Sequence, residues 1–82
     1  MITGAQIRSA RTALRWSVDS LADRSGVSAR TIKRMEVVDT VPNSTLPNII
    51  AIRFTLESAG IEFIGTPDDG PGIRIYSGSQ KN

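Results

Sequence analysis

Basic side chains are concentrated in the first part of the chain. Residues 1–36 hold seven of the ten Lys and Arg residues and three of the eight Asp and Glu residues, a local balance of 7 − 3 = +4. Arg30, Lys33 and Arg34 lie within five consecutive positions. A guanidinium presents a planar fork of donors that matches carboxylate or phosphate oxygens. This distribution predicts that the first part of the chain faces a polyanion, although ordinary solvated arginines would give the same count.

Residues that carry most enzyme and metal chemistry are missing. The 82-residue chain contains no His and no Cys, which removes the commonest general base, the commonest metal ligand and the thiolate nucleophile. Asp68 and Asp69 are adjacent, but they lie in a segment rich in Gly and Pro that is typical of a turn. We therefore expect no enzyme activity, no catalytic residue, no metal and no cofactor.

The sequence also lacks the patterns of a membrane or exported protein. No apolar run approaches the roughly 18 residues that a membrane-spanning helix needs. The first residues do not combine a basic stretch with an apolar stretch, as a signal peptide does. We expect a cytoplasmic protein without membrane contact.

Two helices are predicted before residue 26. The first is capped by Thr3 or Gly4 and runs to about Leu14, with apolar residues repeating on one face. The second is short and follows Ser17, whose side chain is suited to an N-cap. Gly26 ends it, because only glycine takes up the left-handed conformation without a steric cost.

Two further helices are predicted after this turn. Ser28 is the N-cap of a third helix over residues 28–36, which leaves its basic side chains on the outer face. Residues 37–44 contain Pro and Asn and are predicted to form a loop. Thr45 then caps a fourth helix.

After the fourth helix the hydrophobic period changes to two. Residues 61–64 and 73–76 alternate and are rich in β-branched and aromatic side chains, so they are predicted strands, and residues 65–72 are predicted to be the turn. The predicted fold is mainly α: a four-helix domain at residues 1–59, a two-strand β extension for dimerisation at residues 60–76, and a disordered tail at residues 77–82.

A short helix, a glycine turn and a helix with a basic outer face form the helix-turn-helix pattern. The residues that carry a closer match are Ile7 to Arg11, Leu14 to Ser17, Leu21-Ala22, Gly26 to Ser28, Thr31-Ile32 and Met35-Glu36. With these residues the chain resembles the Cro/phage-repressor (Xre) family of helix-turn-helix regulators, of the short bacterial or phage type, over about residues 5–59. The resemblance implies a repressor-like fold and sequence-specific binding of double-stranded DNA by a transcriptional regulator, expected to be a repressor.

The resemblance also implies roles for individual residues. Base edges in the major groove would be contacted by Ser28, Ala29, Arg30 and Arg34, and phosphates by Ser17, Thr31, Lys33 and Arg11. An arginine fork matches O6 and N7 of guanine, which makes it the best reader of that base.

Arg11 and Glu36 match the positions of a structural ion pair in the family. We expect this pair to orient the third helix. Two departures from the family pattern stand out: Val18 replaces a Gln that touches DNA, and Val37-Val38 follow Glu36 where a Gly is usual. The second departure leaves the end of the third helix open.

Some surface side chains have two interpretations. Trp16 is expected to pack at the exit of the first helix rather than to stack on DNA. Arg8 and Arg15 form a face that is either solvated or in contact with phosphate. Ile50 and Phe54 flank the inner stripe of the fourth helix, where they either widen the core face or form a dimer patch.

A homodimer is expected because one recognition helix contacts too few base pairs for genomic specificity. Two-fold pairing would place the half-sites about 34 Å apart. Two short strands form too small a sheet to be stable alone, so pairing between protomers is predicted to complete it. The predicted interface residues are Ile50, Phe54, Ile61, Phe63, Ile73 and Ile75. The alternative is an antitoxin-like or adaptor protein that binds a partner protein through its C-terminal strands.

Overall fold

The chain forms four α-helices followed by one β-hairpin in a computed structural model that describes residues 1–76. The elements are α1 (Gly4–Ala13), α2 (Val18–Ser25), α3 (Ala29–Val37), α4 (Leu46–Ser58), β1 (Ile61–Thr66) and β2 (Asp69–Ile75). The predicted layout, mainly α with a C-terminal pair of strands, is confirmed. The tail predicted at residues 77–82 lies outside the described residues. No helix in residues 1–76 combines the length and the apolar character needed to cross a bilayer.

Polar side chains begin the first three helices as predicted. The Thr3 hydroxyl accepts the backbone N–H of Gln6, and the Gln6 side chain accepts the N–H of Thr3, which completes a capping box. Ser17 and Ser28 cap α2 and α3, each accepting the N–H three residues further on. Thr45 begins α4 without a side-chain hydrogen bond. These caps satisfy N–H groups that have no partner inside a helix.

A glycine turn sets the angle between α2 and α3. Gly26 follows α2 with φ of 78°, in the left-handed region, and its N–H donates to the carbonyl of Ala22. The chain then enters α3 after two residues, and the inner sides of both helices meet the core. The buried apolar residues are Ile2, Ile7, Ala10, Leu21, Val27, Ile32, Met35, Ile49, Ile52, Leu56 and Ile61.

The start of α1 lies against the end of α3. A Cβ on Gly4 would overlap the carbonyl oxygens of Met35 and Val38, so no other residue fits without a shift of the backbone. The Gly4 N–H donates to the carbonyl of Thr40 at 2.9 Å. The loop after α3, whose path the sequence left open, therefore runs across the first turn of α1.

The hairpin turn is shorter than predicted. Only Pro67 and Asp68 form it, whereas residues 65–72 were expected to do so. The glycines explain the difference, because Gly65 and Gly70 have φ values of 75° and 61° and bend the strands while pairing continues.

The apolar face of the hairpin is covered by helices of the same chain. Ile61 belongs to the buried core, and Phe63 and Ile73 pack against it. The amide of Gln6 donates to two hairpin carbonyl groups, at 3.2 and 2.8 Å. The assignment of Ile61 to a dimer interface is thus corrected, because its side chain has no exposed surface left to contribute.

A polar cluster occupies the opposite face of the hairpin. The Tyr76 hydroxyl and the Arg74 guanidinium both donate to Oε1 of Glu62, at 2.5 and 3.1 Å. The hydrogen bond from Tyr76, together with the nearby charge of Arg74, lowers the pKa of Glu62. This face is therefore polar and faces solvent.

Candidate functional site

The outer face of α3 carries three positive side chains. Arg30, Lys33 and Arg34 are exposed, and their spacing of three and four residues places them on one side of the helix. Within residues 1–76, no hydrogen bond or ion pair joins any of the three to another side chain. Val37, one turn after Lys33, is exposed beside them. The surface formed by Arg30, Lys33 and Arg34 is called the α3 basic face below.

Most other arginines have partners within the chain. Arg24 lies over the ring of Trp16, with 4.2 Å from its Cζ to the ring centroid, and Trp16 packs against the core. The predicted packing role of Trp16 is thus confirmed. Four further arginines form ion pairs: Arg8 with Asp39, Arg11 with Glu36, Arg53 with Glu57 and Arg74 with Glu62.

The inner face of α3 is held by apolar packing and one ion pair. Ile32 and Met35 are buried, and Glu36 accepts two hydrogen bonds from Arg11, 2.8 Å from Nε and 2.9 Å from Nη2. Hydrogen bonding to Glu36 raises the pKa of Arg11, and burial opposes the shift. The ion pair that the family resemblance implied is present in the structure.

Arg11 is directed into the protein rather than outward. Besides the two bonds to Glu36, its Nη1 donates to the carbonyl of Trp16 at 2.9 Å, and its side chain is largely buried. We therefore retain the structural role of Arg11 and drop its predicted contact with phosphate.

Arg8 has a role that sequence reasoning missed. Its Nη1 donates to the carbonyl of Glu36, and its Nη2 donates to Asp39 at 3.0 Å. The Glu36 carbonyl is one of the last in α3, where helix carbonyls lack intrahelical partners. Arg8 thus supports a helix end that has Val38 in an extended conformation instead of a glycine. It has two partners within the chain, although its side chain stays exposed.

The N-terminus of α3 is ordered by its own side chains. The Ser28 hydroxyl accepts the N–H of Thr31 at 3.2 Å and donates to the Thr31 hydroxyl at 2.9 Å. Ser28 and Arg30 are exposed at this end, and Ala29 and Thr31 are half-buried. Ser28 and Arg30 are therefore the most accessible of the predicted base-contacting residues at this end of α3.

The N-terminus of α2 is less favourable for an anion. Ser17 is exposed as predicted, but Asp19 lies exposed in the same first turn. A carboxylate there interacts well with the helix dipole and repels a phosphate. Val18, which replaces the Gln of the family pattern, is half-buried and packs against the core. Contacts from α2 are thus expected to contribute less than those from α3.

The remaining predicted interface residues lie on two surfaces. Ile50 and Phe54 are exposed on α4, so they do not widen its core face. Phe63 and Ile73 are half-buried against the chain's own core, and Ile75 is exposed at the end of β2.

Neither a scan against protein-family models nor a search of curated proteins finds a match for this sequence. The family resemblance is therefore carried only by the motif residues themselves.

Proposed function

We propose that the protein binds double-stranded DNA in a sequence-specific manner and regulates transcription, as a cytoplasmic repressor that occupies promoter DNA. The observation that carries the proposal is the α3 basic face. Its three cations have no partner among the described residues, while the opposite side of the same helix is fixed by buried packing and the Arg11–Glu36 pair. Such a helix-turn-helix presents charge rigidly to an external polyanion.

The dimensions of α3 suit the major groove, which is about 12 Å wide and admits one α-helix. Arg30, near the start of the helix, would form a bidentate contact with guanine, and Arg34 would contact a base or the flanking backbone one turn later. Lys33 would contact a phosphate. Phosphate contacts fix the register, and base contacts supply the sequence preference.

Two copies on one operator are part of the proposal. A helix of this length contacts only a few base pairs, and a dimer that contacts two half-sites multiplies the specificity. We expect the footprint to have two-fold symmetry.

Selection from a library of random duplexes tests this function without knowledge of the operator. We expect enrichment of one palindromic motif, bound roughly 1,000-fold more tightly than a shuffled duplex of equal composition at physiological salt. The affinity for both duplexes should fall as salt rises, because phosphate contacts release counterions. Failure to enrich any motif, with equal affinity for selected and shuffled duplexes, would contradict the proposal.

A second candidate function rests on the hairpin. Within residues 1–76, each strand of this two-strand sheet has one edge without a neighbouring strand, and Ile75 is exposed at the end of β2. A partner protein could add a strand there, as an antitoxin or adaptor would require. This candidate predicts a stoichiometric complex with the product of an adjacent reading frame that Ile75→Asp abolishes and Arg30→Ala leaves intact.

A further inference from the structure

Helix α4 carries a row of exposed apolar side chains on its solvent side. Leu46, Ile50 and Phe54 are 57%, 56% and 68% exposed. They are four residues apart, so they follow one another along one face of the helix. These three residues are called the α4 stripe. The opposite side of α4 is already apolar and buried through Ile49, Ile52 and Leu56.

Nothing in residues 1–76 covers the α4 stripe. Isolated exposed apolar residues are ordinary, whereas a contiguous row indicates an interface. Residues 77–82 read Ser-Gly-Ser-Gln-Lys-Asn, and this segment contains no large apolar side chain with which to cover the row. The apolar surface of the row is therefore available to another molecule.

We infer that α4 packs antiparallel against α4 of a second copy, with Ile50 on the two-fold axis. In this register Ile50 meets the partner's Ile50, and Leu46 meets the partner's Phe54. The row is thus self-complementary, as a two-fold interface requires. It is also the register that places each of the three side chains against an apolar one.

Charge is compatible with this register. Arg53 and Glu57 lie beside the α4 stripe and pair with each other at 2.9 Å. The two-fold axis at Ile50 places Arg53 at the level of the partner's Pro47, and Glu57 beyond the first residue of the partner's α4. No charged side chain of α4 meets a like charge, so approach of the second helix leaves each ion pair intact.

A groove beside Phe54 provides space for the second copy. It has a volume of about 390 Å³ and lies between α2 and α4, lined by residues that include Trp16, Arg24, Ala51, Phe54, Thr55 and Ser58. Since the register places the partner's Leu46 against Phe54, that leucine enters the mouth of the groove.

The hairpin offers a smaller apolar surface than α4. Ile61 is buried, and Phe63 and Ile73 are half-buried against the chain's own core, so they already have cover. Of these hairpin residues and Ile75, only Ile75 is an exposed large aliphatic side chain. We therefore assign the interface to α4 and not to the strands.

The area indicates a weak dimer. The exposed parts of the α4 stripe amount to roughly 300 Å² per protomer, less than half of the roughly 800 Å² per partner in a standard stable interface. This interface rests on the proposed function in one respect, which is that two copies bind one operator. Two half-sites raise the local concentration of the protein there, so a weak dimer interface is sufficient.

Cysteine cross-linking without DNA tests this geometry. The chain has no native cysteine, so any disulfide that forms must involve the introduced cysteines. A disulfide forms when the Cα atoms approach within about 7 Å. Residues four apart lie about 6 Å apart along a helix. Position 46 of one copy and position 46 of the other would therefore be about 12 Å apart along the helix direction, and the same holds for position 54.

We expect Ile50→Cys to form a covalent dimer on oxidation at high micromolar concentration. Leu46→Cys and Phe54→Cys should stay monomeric separately and cross-link when mixed. Ile75→Cys is the matched control, because Ile75 is 57% exposed and Ile50 is 56% exposed, and it should stay monomeric. In sedimentation, Ile50→Glu should raise the dissociation constant at least tenfold, and Ile75→Glu should leave it unchanged.

Two outcomes would overturn the inference. Cross-linking of Ile75→Cys without Ile50→Cys would assign the interface to the hairpin, and absence of cross-linking at every position would remove the self-association. Neither outcome involves DNA. If the protein cross-links but does not bind DNA, only the proposed function is contradicted. If it binds DNA but does not cross-link, only this interface is contradicted.

Discussion

Helix α3 presents one face to the protein and one to solvent, and the two differ in how their charges are satisfied. On the inner face, Glu36 accepts two hydrogen bonds from Arg11, and its carbonyl accepts a third from Arg8. On the outer face, the three cations of the α3 basic face have no partner among residues 1–76. The charged groups on the inner face of α3 thus have partners within the chain, whereas those on the outer face are available to another molecule.

The difference separates positioning from recognition. Like charges three or four residues apart on a helix repel each other, so the α3 basic face adds nothing to the stability of the folded chain. A bound anion would offset this repulsion. The inner face, in contrast, is expected to contribute stability and to have no direct contact with DNA.

Removal of the inner cation should give the largest effect on stability. In Arg11→Met, Glu36 remains partly buried without its partner, and such a loss costs about 3–5 kcal/mol. Urea denaturation should show this decrease in the free energy of unfolding. The double variant Arg11→Met/Glu36→Leu should recover part of it, because the uncompensated charge is gone.

The matched control is Arg53→Met, which breaks an exposed pair on α4. It should cost about 0.5 kcal/mol. Equal losses for the two methionine variants would show that the inner pair is no different from a surface pair.

The contact between α1 and the end of α3 should give the next largest effect. In Gly4→Ala, the added Cβ meets the carbonyl oxygens of Met35 and Val38, and overpacking of this kind costs about 2–3 kcal/mol. Thermal unfolding followed by circular dichroism measures the decrease. Gly72→Ala is the control, since its Cβ would be 3.5 Å from the Ile64 side chain, an ordinary contact. A neutral Gly4→Ala would refute the tight crossing.

The acidic residue at the start of α2 should have the smallest effect on DNA binding, alongside a small loss of helix stability because its carboxylate interacts with the helix dipole. Asp19→Asn removes a negative charge beside Ser17, so affinity for every duplex should rise modestly, by about 0.5 kcal/mol at low salt. Fluorescence anisotropy with selected and shuffled duplexes would show an equal gain for both. A gain restricted to the selected duplex would contradict a purely electrostatic role.

Local signals made much of the fold predictable. Ser17 and Ser28 cap helices, and Gly26 takes a left-handed conformation, because these preferences act over a few residues. The Arg11–Glu36 pair was predictable only from the family resemblance, since 25 residues separate its members.

Other contacts could not be predicted because packing brings distant residues together. Arg8 reaches the carbonyl of Glu36, and Gly4 lies against Val38, yet no periodicity signals either approach. The short hairpin turn was missed because glycines and prolines also occur in bent edge strands. At the candidate site, the sequence indicated which residues are basic. The structure showed that Arg8 and Arg11 have partners within the chain and are not part of the α3 basic face.

The most direct test of the central claim compares Arg30→Ala with Lys33→Ala on the selected and the shuffled duplex. Both residues lie on the α3 basic face, so the two variants remove equal charge from the same surface. Arg30→Ala should weaken the binding free energy for the selected duplex by about 1–3 kcal/mol. For the shuffled duplex, the loss should be little more than that of one phosphate contact.

Lys33→Ala should weaken both duplexes equally and lower the slope of log affinity against log salt by about 1. This pattern would establish that α3 contacts bases through Arg30 and the backbone through Lys33. Equal losses on both duplexes for both variants would contradict the account.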